Sequence, residues 1–264
     1  MQVCATTFPF HFYQEIPMRE SDLFSMAAQR YAEPYNAGLR RYMLGIYNYM
    51  ATALVMTGAI AYFSAQSEAF LNMMYLMDNG AIQGVRAPAF IVMFAPLVLV
   101  IMMGFGLERM SLFAVQASYW LYAALMGMSL SVIFLTFSGE SIARVFLITA
   151  ATFGGMSLYG YTTNRDLTAM GSFLIMGLMG LVVASLVNLF LQSSGFQFIL
   201  SVLGVLIFVG LTAYDTQKLR TLYGYLSLQG EAQDKLAIMG ALTLYLDCIN
   251  LFLNLLNLFG ERRR

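Results

Sequence analysis

The chain has 264 residues, of which 59% are hydrophobic and only 11% charged, and its 14 basic and 14 acidic residues cancel. A soluble domain carries about 25% charged residues, so this composition excludes a water-soluble fold with a wettable surface. Zero net charge gives no electrostatic footprint for nucleic acid, and a mean hydropathy of +0.70 marks a polytopic helical membrane protein.

Residues 1–40 are mixed in charge and lack a basic segment followed by an apolar one, so they do not read as a signal peptide. They are expected to form a cytoplasmic tail, poorly ordered up to about Asn36. Met18 opens Met-Arg-Glu-Ser-Asp and is an alternative start to Met1. Residues 41–264 then hold seven apolar stretches near or above the ~20 residues a spanning helix needs. They run Tyr42–Phe63, Ala87–Gly106, Ala114–Phe137, Ala143–Thr163, Ala169–Leu191, Phe196–Tyr214 and Leu236–Phe259. Most of the breaks between them are short and polar, such as Ser138-Gly139-Glu140 and Asn164-Arg165-Asp166; Ser64–Arg86 and Thr216–Lys235 are longer loops. Short connections predict antiparallel neighbours in a single all-α bundle. Gly171, Gly177, Gly180 and Ala184 offer the close helix approaches that lipid-embedded packing uses.

The loop charges predict orientation. With the N-terminus in the cytoplasm, Arg30, Arg40, Arg41, Arg109, Arg165, Lys218, Arg220 and Lys235 fall inside, against Arg86 and Arg144 outside. Arg262-Arg263-Arg264 argues the other way, because a complete seventh crossing carries it outside. The last segment therefore either crosses fully, as its length favours, or re-enters.

That last segment carries the chemistry. Thr243, Asp247, Asn250, Asn254 and Asn257 are spaced 4, 3, 4 and 3 apart, one narrow stripe on a helix of about 3.6 residues per turn. From Asp247 to Asn257 the stripe covers about 15 Å, half the hydrocarbon thickness. A carboxylate at that depth costs at least ~2.5 kcal/mol, so the stripe must face protein or an aqueous cavity rather than lipid. Taken singly, each asparagine could be interhelical glue at ~0.6 kcal/mol per hydrogen bond. Asp215 lies at the end of the preceding run, followed by Thr216-Gln217-Lys218. It is either a solvated helix-end charge or the partner of Asp247. Two carboxyl groups brought close cannot both ionise cheaply; they share a proton and titrate as a pair.

Ala213-Tyr214-Asp215-Thr216-Gln217 and Ala241-Leu242-Thr243-Leu244-Tyr245-Leu246-Asp247-Cys248-Ile249-Asn250-Leu251-Phe252 resemble the signature of the transmembrane Bax-inhibitor family. The resemblance implies a seven-helix bundle with its last helix central, and a pH-sensitive leak for cations, chiefly Ca²⁺. It implies that Asp215 and Asp247 form the pH-sensing pair. The stripe Thr243, Asn250, Asn254 and Asn257, taken as a set with its acid, reads as an ion pathway, and Asp215 and Asp247 are the candidate Ca²⁺ ligands. It further implies an arginine latch at the end of the second span, where Arg109 is the candidate and Glu108 competes for the same position. No other cofactor is implied, and the partners are the lipid bilayer and the permeant or regulatory ions Ca²⁺ and H⁺.

Other classes have weaker support. A proton-coupled transporter shares the acid pair, and a purely structural membrane protein needs neither acid. An intramembrane aspartyl protease fits Tyr214-Asp215, but Tyr245-Leu246-Asp247 lacks the two glycines of its second motif. His11 is the only histidine, which excludes a Ser-His dyad, a multi-histidine zinc site and bis-histidine haem ligation. The reading is therefore non-enzymatic. The methionines, Met73, Met74, Met77, Met102 and Met103 among them, read as adaptable apolar packing rather than copper ligands. Cys4 and Cys248 lie in the tail and in a span, so no disulfide framework follows. Chain size and the lack of eukaryotic targeting signals point to a multi-pass protein of a bacterial inner membrane.

Overall fold

A computed structural model describes residues 20–78, 81–225 and 230–263. The described residues from Arg41 on form one compact unit, and residues 20–40 belong to another. Of the tail, residues 1–19 lie outside the described residues, and with them Cys4, His11 and Met18. Helix begins at Glu20, inside the segment expected to be poorly ordered up to about Asn36.

The elements are α1 (Glu20–Gln66), α2 (Glu68–Met74), β1 (Tyr75–Asp78), β2 (Ala81–Val85), α3 (Ala87–Gly106), α4 (Leu112–Thr136), α5 (Gly139–Thr162), α6 (Thr168–Leu191), α7 (Ser194–Tyr225) and α8 (Glu231–Phe259). Seven of the helices are long and apolar enough to span a bilayer: Asn36–Gln66 within α1, then α3 to α6, Ser194–Tyr223 within α7, and α8. The protein is an all-α polytopic bundle with one small hairpin. In hydrocarbon each backbone polar group must be satisfied within its own segment, and helix is the local way to do so.

Serines start three helices by the usual capping geometry. Ser67 Oγ accepts from Phe70 N, Ser111 Oγ from Ala114 N, and Ser138 Oγ from Ser141 N. Ser67 helps turn part of the expected loop Ser64–Arg86 into α2, and an antiparallel hairpin fills much of the rest, pairing Tyr75 with Val85 and Asp78 with Ala81. The Asn79-Gly80 pair between the strands is a hairpin signal in the sequence. Leu71, Met74, Tyr75 and Ala89 bury together against Val132 and Leu135, tying this subdomain to the end of α4.

α8 is the most enclosed span. Of its most apolar stretch 56% is buried, against 39% for α7 and 6% for α6. It packs on α7, α5 and α4 and reaches α1 through Tyr245, whose hydroxyl meets Thr57 Oγ1 at 2.8 Å. α3 packs chiefly on α4, and α6 on α7. Large apolar side chains such as Phe173, Met176, Val183 and Phe190 of α6 stay exposed, as a lipid-facing surface should.

α8 also runs the full length of α4. At its start, Glu231 Oε1 accepts from Leu112 N at the head of α4. Beyond its end, Arg262 pairs with Phe137, Glu261 O accepts from Ser138 N at 3.0 Å, and Arg263 N donates to Thr136 O at 2.8 Å. Both ends of α8 thus meet the two ends of α4. Its 29 residues rise about 43 Å, more than the ~30 Å hydrocarbon core. This path fits the crossing alternative, not the re-entrant one.

Candidate functional site: the acid pair on the α7–α8 seam

α7 continues past Asp215 to Tyr225, and α8 begins at Glu231, well before Asp247. Neither acid is therefore at a helix end. Two contacts give the register of this antiparallel pair. A side chain at Gly240 would meet Leu219 Cδ2 at 2.7 Å, and one at Gly204 would collide with the Asn254 amide. The polar stripe of α8 thus lies along α7. On that seam the carboxyl groups of Asp215 and Asp247 come within reach of each other.

Asp247 is 4% exposed, and its Oδ2 has no hydrogen-bond partner among the described residues. A buried acceptor without a donor is costly. Two ionised carboxylates offer each other only lone pairs; one proton turns either into the donor the other lacks. Asp215 is half-buried, and Lys218 follows it three residues on along α7. Lys218 itself is exposed, with Nζ 5.9 Å from the Tyr214 ring centre.

Each residue around Asp215 is held by a different neighbour. The Ala213 backbone sits against Gly160 of α5, and the Tyr214 ring against Gly171 of α6. Thr216 Oγ1 donates to Thr212 O at 2.7 Å and meets Ser157 Oγ at 3.0 Å, which meets Tyr47 OH at 2.6 Å. Because the Thr216 hydroxyl hydrogen is committed, Ser157 must donate to Thr216, and Tyr47 to Ser157. The chain of hydroxyls runs one way across α1, α5 and α7. Gln217 braces the α5–α6 turn, accepting from Leu167 N at 2.9 Å and donating to Arg165 O at 2.7 Å. Arg220 Nη1 donates to Tyr161 O at 2.7 Å. These partners were not singled out in the sequence. Hydroxyls at span depth, Ser157 and Thr216, were the available signal.

The remaining stripe residues differ in placement. Thr243, Asn250 and Asn254 are half-buried and bond back to their own helix: Thr243 Oγ1 to Met239 O, Asn250 Nδ2 to Leu246 O, and Asn254 Nδ2 to Asn250 O. The asparagines are thus not interhelical hydrogen-bond donors. Asn257, expected to face protein, is exposed, because it lies in the last turn before the α8 terminus at Gly260. Arg109, the latch candidate, is not paired with either acid in this structure. α3 ends at Gly106, and the turn that follows carries Glu108 and Arg109 outward, both exposed. Arg109 forms no ion pair among the described residues; the cation beside Asp215 along α7 is Lys218.

On the other side of α8, a cavity of about 390 Å³ lies between α1, α4, α5 and α8, lined by Thr57, Phe134, Phe146, Cys248 and Phe252 among others. Asp247 is not in its lining, so the acid pair does not open into it. Among the described residues no group of three His, Cys, Asp or Glu side chains could hold a metal ion. Any Ca²⁺ at Asp215 and Asp247 would have to complete its shell with amide, hydroxyl or water oxygens.

A buried carboxyl group beside a half-buried one, between two helices long and apolar enough to span a bilayer, is the candidate site of a multi-span membrane protein. The sequence pattern described as inhibitor of apoptosis-promoting Bax1 matches residues 39–264, and the chain belongs to this Bax-inhibitor family. It is 49% identical over 229 residues to the uncharacterized protein RP147 of Rickettsia prowazekii, covering 87% of this chain and 93% of the relative. An uncharacterized protein of Caulobacter vibrioides is 44% identical over 239 residues, 90% of this chain and 96% of that one. The inner membrane protein YbhL of Escherichia coli is 42% identical over 228 residues, 86% and 94% of the two chains.

Proposed function

We propose that this protein is a pH-sensitive cation leak of a bacterial inner membrane, conducting chiefly Ca²⁺ and gated by protonation of Asp215 and Asp247. The observation that carries the reading is the orphaned Oδ2 of Asp247 on a seam it shares with a second carboxyl group. One shared proton holds α7 to α8 there. Without it, two charges about 4 Å apart at an effective dielectric constant of about 20 repel by ~4 kcal/mol, enough to loosen a helix pair held by contacts of ~0.6 kcal/mol each. Lys218, the cation beside Asp215 along α7, offsets part of that repulsion.

Family membership supports the leak, and the name of YbhL supports the inner membrane. The loop charges favour a cytoplasmic N-terminus. That end of the bundle carries Arg109, Arg165, Lys218, Arg220 and Lys235, while Arg86, Arg144, Arg262 and Arg263 lie at the other. The proposed role is transport without catalysis. Ca²⁺ entry into liposomes holding the purified protein, measured between about pH 5 and 8, tests it. Flux that varies with pH in the wild type and loses that variation in Asp215→Asn and Asp247→Asn supports the reading. Flux no greater than in protein-free liposomes across the range overturns it.

A further inference from the structure

Four side-chain oxygens on the same seam, Asp247 Oδ2 of the acid pair among them, have no donor. Asn250 and Asn254 each spend an amide hydrogen on their own helix, at 2.8 Å to Leu246 O and Asn250 O. That fixes the amide orientation and leaves each Oδ1 without a donor among the described residues. Asp247 Oδ2 is buried and unpartnered, and so is Ser201 Oγ of α7, which is 1% exposed. The register set by Gly204 against Asn254 places Ser201, three residues before Gly204, opposite the Asn257 turn of α8. Unpaired oxygens therefore follow one another from mid-membrane toward the end of the bundle where the tail Glu261–Arg263 meets Phe137 and Ser138.

We propose that the α7–α8 seam is a cation-selective file lined by the oxygens of Asp247, Asn250, Asn254 and Ser201, with Gly204 setting its width. The proposal rests on the leak reading and names the part of the site that selects the ion. A file of acceptors replaces a metal ion's hydration shell and offers an anion nothing to bind. Neutral oxygens with one carboxyl group hold a divalent ion loosely enough to let it leave, unlike a cluster of carboxylates. The file is shut in this structure, because the Asn254 amide rests on Gly204. The acids sit on the same seam, so a force that parts them also parts Asn254 from Gly204.

The test uses the full-length protein in liposomes, with Ca²⁺ and K⁺ flux read separately. Asn254→Leu and Asn250→Leu keep the side-chain shape and remove the oxygens; Ser201→Ala removes the hydroxyl; Gly204→Ala narrows the file. Each should lower Ca²⁺ flux by about tenfold, equivalent to about 1.4 kcal/mol on the barrier. Asn254→Leu should also lower the Ca²⁺-to-K⁺ ratio, and the pH midpoint of the remaining flux should stay in place. Unchanged flux and ratio in all four variants, while Asp215→Asn still flattens the pH profile, would overturn the file and leave the leak reading standing. If the wild type conducts nothing, the leak reading fails, and water access decides the file. Ser201→Cys and Asn254→Cys, in a background with Cys4 and Cys248 replaced by alanine, should react with a charged thiol reagent in membranes. Val202→Cys and Leu203→Cys, on the exposed apolar face of α7, should not. Labelling of the first two no faster than of these controls means the seam is dry, and the proposal falls whatever the flux.

Discussion

The backbone of Ala213 rests directly on Gly160, so α5 and α7 approach each other closely beside Asp215. A methyl group on Gly160 would occupy the position of the Ala213 carbonyl. Without a hydrophobic drive between helices in lipid, such contacts supply much of the packing energy. Gly160→Ala should therefore destabilise the protein by about 1–3 kcal/mol, the usual cost of overpacking. Gly154, in the same helix with nothing within 4 Å of a built side chain, is the control: Gly154→Ala should leave thermal unfolding in detergent unchanged. Equal effects at the two positions would show that the α5–α7 approach is not tight.

The hydroxyl chain from Tyr47 through Ser157 to Thr216 should be worth little in stability and more in function. Ser157→Ala removes two hydrogen bonds, of 2.6 and 3.0 Å, each worth ~0.6 kcal/mol in a membrane helix bundle. The expected loss is about 1 kcal/mol. Because the chain orients the turn of α7 that carries Asp215, the same variant should broaden the pH profile of flux. A profile identical to wild type would confine Ser157 to packing.

Lys218 and Arg109 should behave differently. Lys218 is the cation beside Asp215 along α7, and a nearby positive charge eases loss of a proton. Lys218→Ala should move the midpoint of the pH profile upward. Arg109, exposed in the α3–α4 turn, should be replaceable by alanine without moving it. A shift with Arg109→Ala and none with Lys218→Ala would restore the latch.

Asp166 gives a pH effect of known sign outside the membrane. Its Oδ1 accepts from Thr168 N at 2.9 Å at the start of α6, and bonds from the Thr168 side chain and backbone hold its carboxyl below the usual value. A group held low in the folded state adds stability above its unfolded value of about 3.9, and that stability is lost as pH falls through the folded value. Asp166→Ala should lower thermal stability at neutral pH, and the difference from wild type should disappear in acid. A difference that persists unchanged in acid would assign the effect to helix capping by shape rather than to charge.

The spans were legible because the constraint behind them is local. A run of about 20 apolar residues can satisfy its backbone in hydrocarbon only as a helix. The stripe on α8 was legible for the same reason, since Thr243, Asp247, Asn250 and Asn254 share a face through helix geometry alone. The hairpin Tyr75–Val85 was passed over because its short strands give a weaker signal than a spanning helix. Asp215 reads from sequence either as a helix-end charge or as the partner of Asp247, because Thr216-Gln217-Lys218 interrupts the apolar run; α7 continues through it.

The sequence alone determined the number of spans, the two acids and the polar face of the last helix, all properties of residues within a few turns of one another. The tertiary structure decided that Asp215 meets Asp247 on the α7–α8 seam, that Ser157 links Tyr47 to Thr216 across 110 and 59 residues of chain, and that Gly204 receives the Asn254 amide. Lipid is as apolar as the helix surfaces, so hydropathy cannot choose a helix's neighbours. That choice falls to shape and to scattered polar partners distant in sequence, which only the folded chain brings together.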